Sequence, residues 1–181
     1  MTSSGVGGSL SDSRLIVRPE HPRDVDAIGW VNKQAFNDRP YSRQTEHLIV
    51  EALRSADALD ISLVAELDGN LVGHIALSQA GIGEDSSGWY ALGPVAVLPD
   101  FQARGVGRAL IEAGLAELRT RAANGCVLVG DPAFYTRFGF TRVPGVMWAG
   151  VPDENVLCLR LAGPQPHGEV SYHPAFSVEP E

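Results

Sequence analysis

Alternation of apolar and polar residues predicts a β-hairpin in the first half of the chain. Every second residue is apolar in residues 61–67 and again in residues 71–77, and Asp-Gly-Asn at 68–70 has the composition of a tight turn. A loop rich in glycine, serine and acids is expected at 81–88. Other short apolar runs predict further strands, at residues 15–18, 89–97, 126–129, 139–143 and 155–161.

Apolar residues spaced by three and four positions predict two helices before the hairpin. Residues 25–35 follow this period directly after Asp24, which is suited to cap a helix. Residues 43–54 follow it again, and Ser42 is available as the second cap. The first third of the chain is therefore expected to run strand, helix, helix.

The clearest helical pattern lies in the second half of the chain. Its apolar positions continue from Gly105 to Ala122, and Asn124-Gly125 is a standard C-terminal signal. A short helix is expected at 132–137. Together the predicted elements alternate between strands and helices in an order that implies a mixed sheet with helices on both faces.

The length of 181 residues favours one domain, which we place at residues 14–162. Residues 1–13 are rich in glycine and serine, without the basic and apolar segments of a secretory signal, and we expect them to be disordered. Residues 163–181 contain four prolines. We expect them to form an extended tail that packs on the domain.

Composition argues against nucleic-acid and membrane partners. The net charge of −8, from 22 acidic and 14 basic residues, would repel a phosphate backbone. No apolar run approaches the length that crosses a bilayer, so we expect a cytoplasmic protein. Cys126 and Cys158 both lie in apolar runs, which favours reduced, buried thiols.

Residues 102–108 lie between a predicted strand and the long helix, and they are suited to bind phosphate. A helix N-terminus offers unpaired amides, and Gly105 and Gly107 let a ligand approach the backbone. Arg104 and Arg108 would add charged donors. The spacing is not that of a P-loop, and Leu110 stands where a dinucleotide fingerprint has its third glycine.

Two motifs resemble those of the GNAT acetyltransferase superfamily. The Q/R-x-x-G-x-G/A motif is matched at Gln102, Gly105 and Gly107. The Y-x-x-x-G-F ending is matched at Tyr135, Gly139 and Phe140. The wider pattern is similar to the YhbS-like branch of predicted N-acetyltransferases, and it covers about residues 15–176.

This resemblance implies an α+β fold whose mixed central sheet is mostly antiparallel, with one splayed pair of parallel strands and helices on both faces. It also implies an acetyl-CoA-dependent N-acetyltransferase in which a primary amine attacks directly. The strand before the phosphate loop would offer its backbone to the pantetheine arm. The expected cofactor contacts are Val95, Ala96, Val97, Gln102, Ala103, Arg104, Gly105, Val106, Gly107, Arg108, Asp131, Phe134 and Tyr135.

Acetyl transfer to an ammonium requires a base, a polarised carbonyl and a proton for the leaving thiolate. The resemblance assigns the last role to Tyr135. For the base we favour Glu46, with Glu84 and Asp85 as alternatives, although all three are also placed where ordinary surface acids occur. His74 lies inside the hairpin and either borders the acceptor cleft or packs as an ordinary strand residue.

Other functions stay open at this stage. The resemblance implies acetyl-CoA as the cosubstrate. The remaining histidines show no spacing typical of a metal site, so no metal is expected. One alternative is a catalytically inactive acyl-CoA-binding sensor or interaction module, and another is a nucleotide-binding α/β domain. The amine acceptor has no recognisable code in the sequence, and both a monomer and a homodimer are compatible with it.

Overall fold

The computed structural model describes residues 14–84 and 87–180. The expectation of disorder at 1–13 lies outside these residues, as does Asp85. Within the described part the elements are β1 (Leu15–Pro19), α1 (Val25–Phe36), α2 (Glu46–Ser55), β2 (Ile61–Leu67), β3 (Asn70–Ile82), β4 (Trp89–Val97), α3 (Val106–Thr120), β5 (Gly125–Val129), α4 (Pro132–Tyr135), β6 (Val146–Met147), β7 (Val156–Arg160) and β8 (Gly168–Tyr172).

The strands form a mixed sheet in the order β1-β2-β3-β4-β5-β7. Neighbours along this path are antiparallel except β4 and β5, which run parallel. The short β6 pairs in parallel with β8, and β8 pairs with the far end of β3. The predicted mixed, mostly antiparallel sheet is confirmed.

Helices cover both faces of the sheet, as predicted. Side chains of successive strand residues point to opposite faces. Ile75 lies against α3, where a β-carbon built on Gly114 would be 3.3 Å from its Cδ1. Ala76, the next residue, packs with Ile28 of α1 and Val50 of α2. The long β3 is therefore buried between α3 on one face and the α1/α2 pair on the other.

The parallel strands β4 and β5 diverge after three paired residues. Trp89, Tyr90 and Ala91 pair with β5, whereas the paired residues of the rest of β4, Leu92 and 95–97, have partners only in β3. A register shift between β3 and β4 places Gly93 and Pro94 opposite the single residue Ala76. Such a bulge bends the strand that carries it. The bend opens a gap between β4 and β5, and residues 98–105 lead from the end of β4 to the start of α3.

The first half of the chain contains two differences from the predicted elements. Helix α2 begins at Glu46 rather than residue 43, because the proposed cap Ser42 bonds to the Gln44 amide and to the Glu46 side chain instead. Strand β3 continues to Ile82, into the region predicted as a loop. The cause is strand β8, which pairs with β3 at this end.

Further differences lie in the second half. Helix α3 ends at Thr120, and Ala122, not Gly125, is the left-handed residue after it. Gly125 instead belongs to β5, where a β-carbon would be 2.3 Å from the Leu159 carbonyl oxygen. The strand predicted at 139–143 is reduced to a single bridge of Thr141 with Cys158. The predicted helix 132–137 ends at Tyr135 and continues as a 3₁₀ turn. Strand β8, within the region expected to be an extended tail, was not predicted.

Within the described ranges, no helix has both the length and the apolar composition needed to cross a membrane.

Candidate active site

Residues 103–108 present a row of free backbone amides at the start of α3. Gly105 is the N-cap residue with φ +82°, and Ala103 also has a left-handed φ of +59°. The first helical bond is donated by the Ala109 amide to the Gly105 carbonyl, and the six amides before it have no partner among the described residues. Unpaired amides at a helix N-terminus form an anion site, because the helix dipole adds a partial positive charge.

Strand β4 turns part of its backbone toward the gap. The Leu98 amide donates to the Val72 carbonyl, so by alternation the backbone of Ala96 faces β3 and that of Val95 and Val97 faces away from it. The Val97 carbonyl accepts a hydrogen bond of 3.0 Å from Nε2 of Gln102. The Val95 backbone therefore faces the splayed gap on the side where β5 has diverged.

Gln102 also contacts a residue that the sequence did not indicate. Nη2 of Arg39, in the loop between α1 and α2, donates to Oε1 of Gln102 at 2.6 Å. The predicted arginines lie beside the amides and are exposed. Arg104 lies over the Phe101 ring at 5.6 Å, and Arg108 pairs with Glu112 at 2.9 Å. Arg104 and Arg108 thus flank the row of amides along the chain, whereas Arg39 reaches Gln102 from a separate loop.

The short helix α4 closes the site from the β5 side. A β-carbon built on Gly107 would be 3.7 Å from Val97 Cγ2 and 3.9 Å from Phe134 Cζ, so α3, β4 and α4 converge here. The Asp131 carboxylate accepts the Ala133 amide at 2.9 Å and caps α4. Phe134 therefore stands next to the amide row, while Asp131 is engaged as a helix cap.

Tyr135 is half-buried on the same helix. Its ring packs edge-on against Phe134 at 4.9 Å and against Phe140 at 5.9 Å. It also lies directly over Gly130, where a β-carbon would be 2.4 Å from Cε2. Burial raises the pKa of the Tyr135 phenol to about 12, and the nearby Tyr41 hydroxyl adds to this effect. The phenol is neutral at physiological pH.

Glu46 is held in the first turn of α2. Its Oε1 accepts a hydrogen bond of 2.6 Å from the Ser42 hydroxyl. Its Oε2 is buried and has no hydrogen-bond partner among the described residues. A buried acceptor without a donor is unfavourable, and a charged donor would relieve this cost. This oxygen is therefore suited to receive a cationic group.

Comparison with known proteins identifies the family. The family model described as an acetyltransferase (GNAT) domain matches residues 59–142. The uncharacterized N-acetyltransferase YjhQ of Escherichia coli is 34% identical over 145 residues, covering 76% of this chain and 78% of YjhQ. The uncharacterized N-acetyltransferase YhbS of E. coli is 32% identical over 127 residues, covering 70% and 73%. The chain belongs to the GNAT acetyltransferase family.

Solved structures of GNAT proteins share this fold over nearly the whole chain. A GNAT family acetyltransferase from Brucella melitensis, in complex with acetyl-CoA, is 46% identical with a TM-score of 0.80, covering 90% of this chain and 98% of that one. The structure of E. coli YhbS in complex with CoA has a TM-score of 0.84 at 27% identity, covering 94% and 96%. The predicted resemblance to the YhbS-like branch is confirmed.

The other candidate groups of this GNAT acetyltransferase differ in exposure. His74 is fully buried between α1 and the sheet, where Nδ1 lies 3.1 Å from Asn32 Nδ2 and Nε2 lies 2.8 Å from the Ser62 hydroxyl. Burial lowers its pKa to about 3, so the imidazole is neutral. Both ring nitrogens are therefore within hydrogen-bond distance of buried or half-buried side chains and do not face a cleft. Glu84 is exposed in the loop after β3.

Both cysteines of the GNAT domain are buried. Cys126 is 0% exposed and Cys158 is 3% exposed. Burial raises the pKa of Cys126 far above its usual range and that of Cys158 to about 12. A nucleophilic cysteine needs an accessible thiolate, which these environments disfavour. The predicted burial of both thiols is confirmed.

Proposed function

We propose that the protein transfers the acetyl group of acetyl-CoA to a primary amine by direct attack. The proposal rests on the row of six free amides at 103–108, which lies at the open end of the gap between β4 and β5. A diphosphate at these amides directs the attached arm along the Val95 backbone. The acetyl-CoA and CoA bound to the Brucella protein and to YhbS support this ligand.

The cofactor contacts divide by chemistry. The amides of Ala103, Arg104, Gly105, Val106, Gly107 and Arg108 bind the diphosphate oxygens, and the two arginine side chains add charge. The backbone of Val95 and Val97 bonds the amide groups of pantetheine, and an amide of the same strand polarises the thioester carbonyl. Phe134 gives the arm an apolar wall. Asp131 and Ala96 support the site indirectly, because Asp131 caps α4 and Ala96 holds β4 to β3.

Glu46 is our candidate for the base. An alkylammonium with a pKa of about 10.4 must lose a proton before its nitrogen can attack. The partnerless Oε2 of Glu46 would bind the ammonium and accept that proton, directly or through water. The amine nitrogen then attacks the thioester carbon, and the C–S bond breaks as the second proton passes from the nitrogen, through water, to the departing sulfur. Glu46 returns the first proton to solvent. The products are the amide and CoA.

Tyr135 would stabilise the departing sulfur as a hydrogen-bond donor. With a pKa of about 12 the phenol carries its proton throughout the physiological range. Complete proton transfer to a thiolate with a pKa of about 8.5 is uphill by about 5 kcal/mol, since each pKa unit is about 1.4 kcal/mol. Donation without full transfer is therefore favoured over the proton return expected from the sequence.

Binding and turnover are tested separately. Calorimetry should detect acetyl-CoA binding, and incubation with a panel of primary amines should release free CoA. A catalytically inactive module would bind acetyl-CoA without releasing CoA in the presence of any amine. A nucleotide-binding domain would instead be stabilised thermally by NAD or ATP.

The position of the site is tested by Gly107→Asp. Space for the β-carbon exists, because its nearest contacts of 3.7 and 3.9 Å are ordinary. A carboxylate at the free amides should repel the diphosphate and raise the Kd for acetyl-CoA at least about tenfold, or 1.4 kcal/mol. Gly29→Asp on α1, where nothing lies within 4 Å, makes the same charge change and should leave the Kd unchanged. Equal effects of the two variants would contradict the proposed site.

A further inference from the structure

The loop between α1 and α2, residues 37–45, contains no regular structure but is tightly bonded. Near each end of the loop a non-glycine residue takes the left-handed conformation: Asp38 has a φ of +62° and Gln44 has a φ of +58°. Tyr41 of this loop is near enough to Tyr135 to contribute to its raised pKa, and Glu46 follows the loop directly. This loop therefore supplies one side of the proposed acceptor site.

Two arginines of the 37–45 loop bond to distant parts of the chain, and their surroundings differ. Arg43 pairs with Glu179, and both side chains are at least 60% exposed. Arg39 is half-buried and donates to Oε1 of Gln102, and Nε2 of the same side chain donates to the Val97 carbonyl. A charged donor held between packed groups is less screened by solvent than an exposed pair. Arg39 thus makes the stronger of the two connections.

Arg39 also connects to Glu46 through the loop itself. Its carbonyl accepts the Ser42 amide at 3.1 Å, and the Ser42 hydroxyl donates to Glu46 at 2.6 Å. The Gln44 amide donates to the same hydroxyl at 2.8 Å. A continuous hydrogen-bonded path therefore runs from the Val97 carbonyl through Gln102 and Arg39 to Glu46. It joins the strand and loop that would hold the cofactor to the side chain that would accept the amine proton.

We propose that Arg39 is a positioning residue that couples acetyl-CoA binding to the order of the 37–45 loop and thereby to the placement of Glu46. The inference rests on the proposed function. A diphosphate bound at residues 103–108 immobilises Gln102, and Gln102 holds the Arg39 guanidinium. Because coupling between two sites is reciprocal, an amine bound at Glu46 strengthens acetyl-CoA binding by the same factor.

Amide hydrogen exchange with acetyl-CoA as the probe tests this coupling without knowledge of the acceptor. In the wild type, saturating acetyl-CoA should slow exchange in peptides spanning 37–46 at least about threefold, which is a smaller change than the coupling factors typical of allosteric sites. Arg39→Met should abolish this slowing while keeping the Kd for acetyl-CoA within about threefold of the wild type. Arg39→Lys, which keeps one charged donor, should restore part of it. Arg43→Met, in the same loop, should behave as the wild type.

The outcomes separate the two proposals. If the wild type does not bind acetyl-CoA, the proposed function fails. If it binds but the 37–46 peptides exchange at an unchanged rate, or if Arg39→Met and Arg43→Met lose the slowing equally, the coupling role of Arg39 is wrong. A rise in Kd above about tenfold for Arg39→Met would make Arg39 a direct ligand contact and would also overturn the inference.

Discussion

Replacing Gly130 with alanine should lower kcat by displacing the Tyr135 ring. The new β-carbon would be 2.4 Å from Cε2 and 2.8 Å from Cδ2 of Tyr135, whereas ordinary contacts begin at 3.4 Å. The ring must therefore retreat by about 1 Å, and a misplacement of about 1 Å can lower a rate about 100-fold, or 2.7 kcal/mol. The assay is CoA release with an amine that the wild type acetylates.

Stability must be separated from catalysis in this experiment. Overpacking costs about 1–3 kcal/mol, which lowers the Tm by about 2–4 °C per kcal/mol in a chain of this size. Rates are therefore measured well below the Tm of each variant. Gly29→Ala is the matched control, because its β-carbon meets nothing within 4 Å and it should leave kcat unchanged.

A double-mutant cycle with Tyr135→Phe tests whether the effect of Gly130→Ala depends on the Tyr135 hydroxyl. If Gly130→Ala acts by moving the hydroxyl, it should have little further effect in a protein that lacks this hydroxyl. The two substitutions would then be strongly non-additive. If Gly130→Ala instead lowers kcat by the same factor in both backgrounds, its effect does not pass through the Tyr135 hydroxyl and the assigned role is wrong.

Two further predictions concern titratable groups away from this ring. The hydrogen bond from Arg18 lowers the pKa of Asp24 to about 2 in the folded protein, below the value of about 3.9 in the unfolded chain. The ionised carboxylate therefore stabilises the fold at neutral pH. This stabilisation is lost as the pH falls from about 5 to 2. Urea denaturation should show a loss of about 1–2 kcal/mol over this range after solvent screening, and an equally steep loss in Asp24→Asn would contradict the assignment. Cys126 and Cys158 should not react with Ellman's reagent until guanidinium unfolds the protein, and a rapid native-state reaction would show that their burial is wrong.

Local patterns predicted the parts of the fold whose partners are close in sequence. The 61–77 hairpin and α3 have strong periods of two and 3.6 residues, and both form where they were predicted, although β3 extends to Ile82 and α3 ends at Thr120. Strand β8 was missed because its pairing partner lies in the first half of the chain and prolines flank its short alternation. Gly125 was misread as a helix stop because its true constraint is contact with Trp89 and Leu159, which sequence spacing does not reveal.

The sequence predicted the part of the candidate site that is formed by backbone amides. Gly105 and Gly107 indicate close backbone approach at a helix start, and the structure has free amides there. Arg39 carried no signal, because its partner Gln102 is 63 residues away and its loop has no periodic pattern. The raised pKa of Tyr135 was equally hidden, since it arises from burial against residues of several elements.

The position of β8 sets an order of events when the chain is synthesised. The edge of β3 that β8 covers, at Ala80–Ile82, is translated well before residues 168–172. Until those residues leave the ribosome, the nascent sheet has an open edge at this end, and open edges favour pairing with other chains. Residues 168–172 therefore protect an edge that is made long before them, so a product truncated before residue 168 should be aggregation-prone.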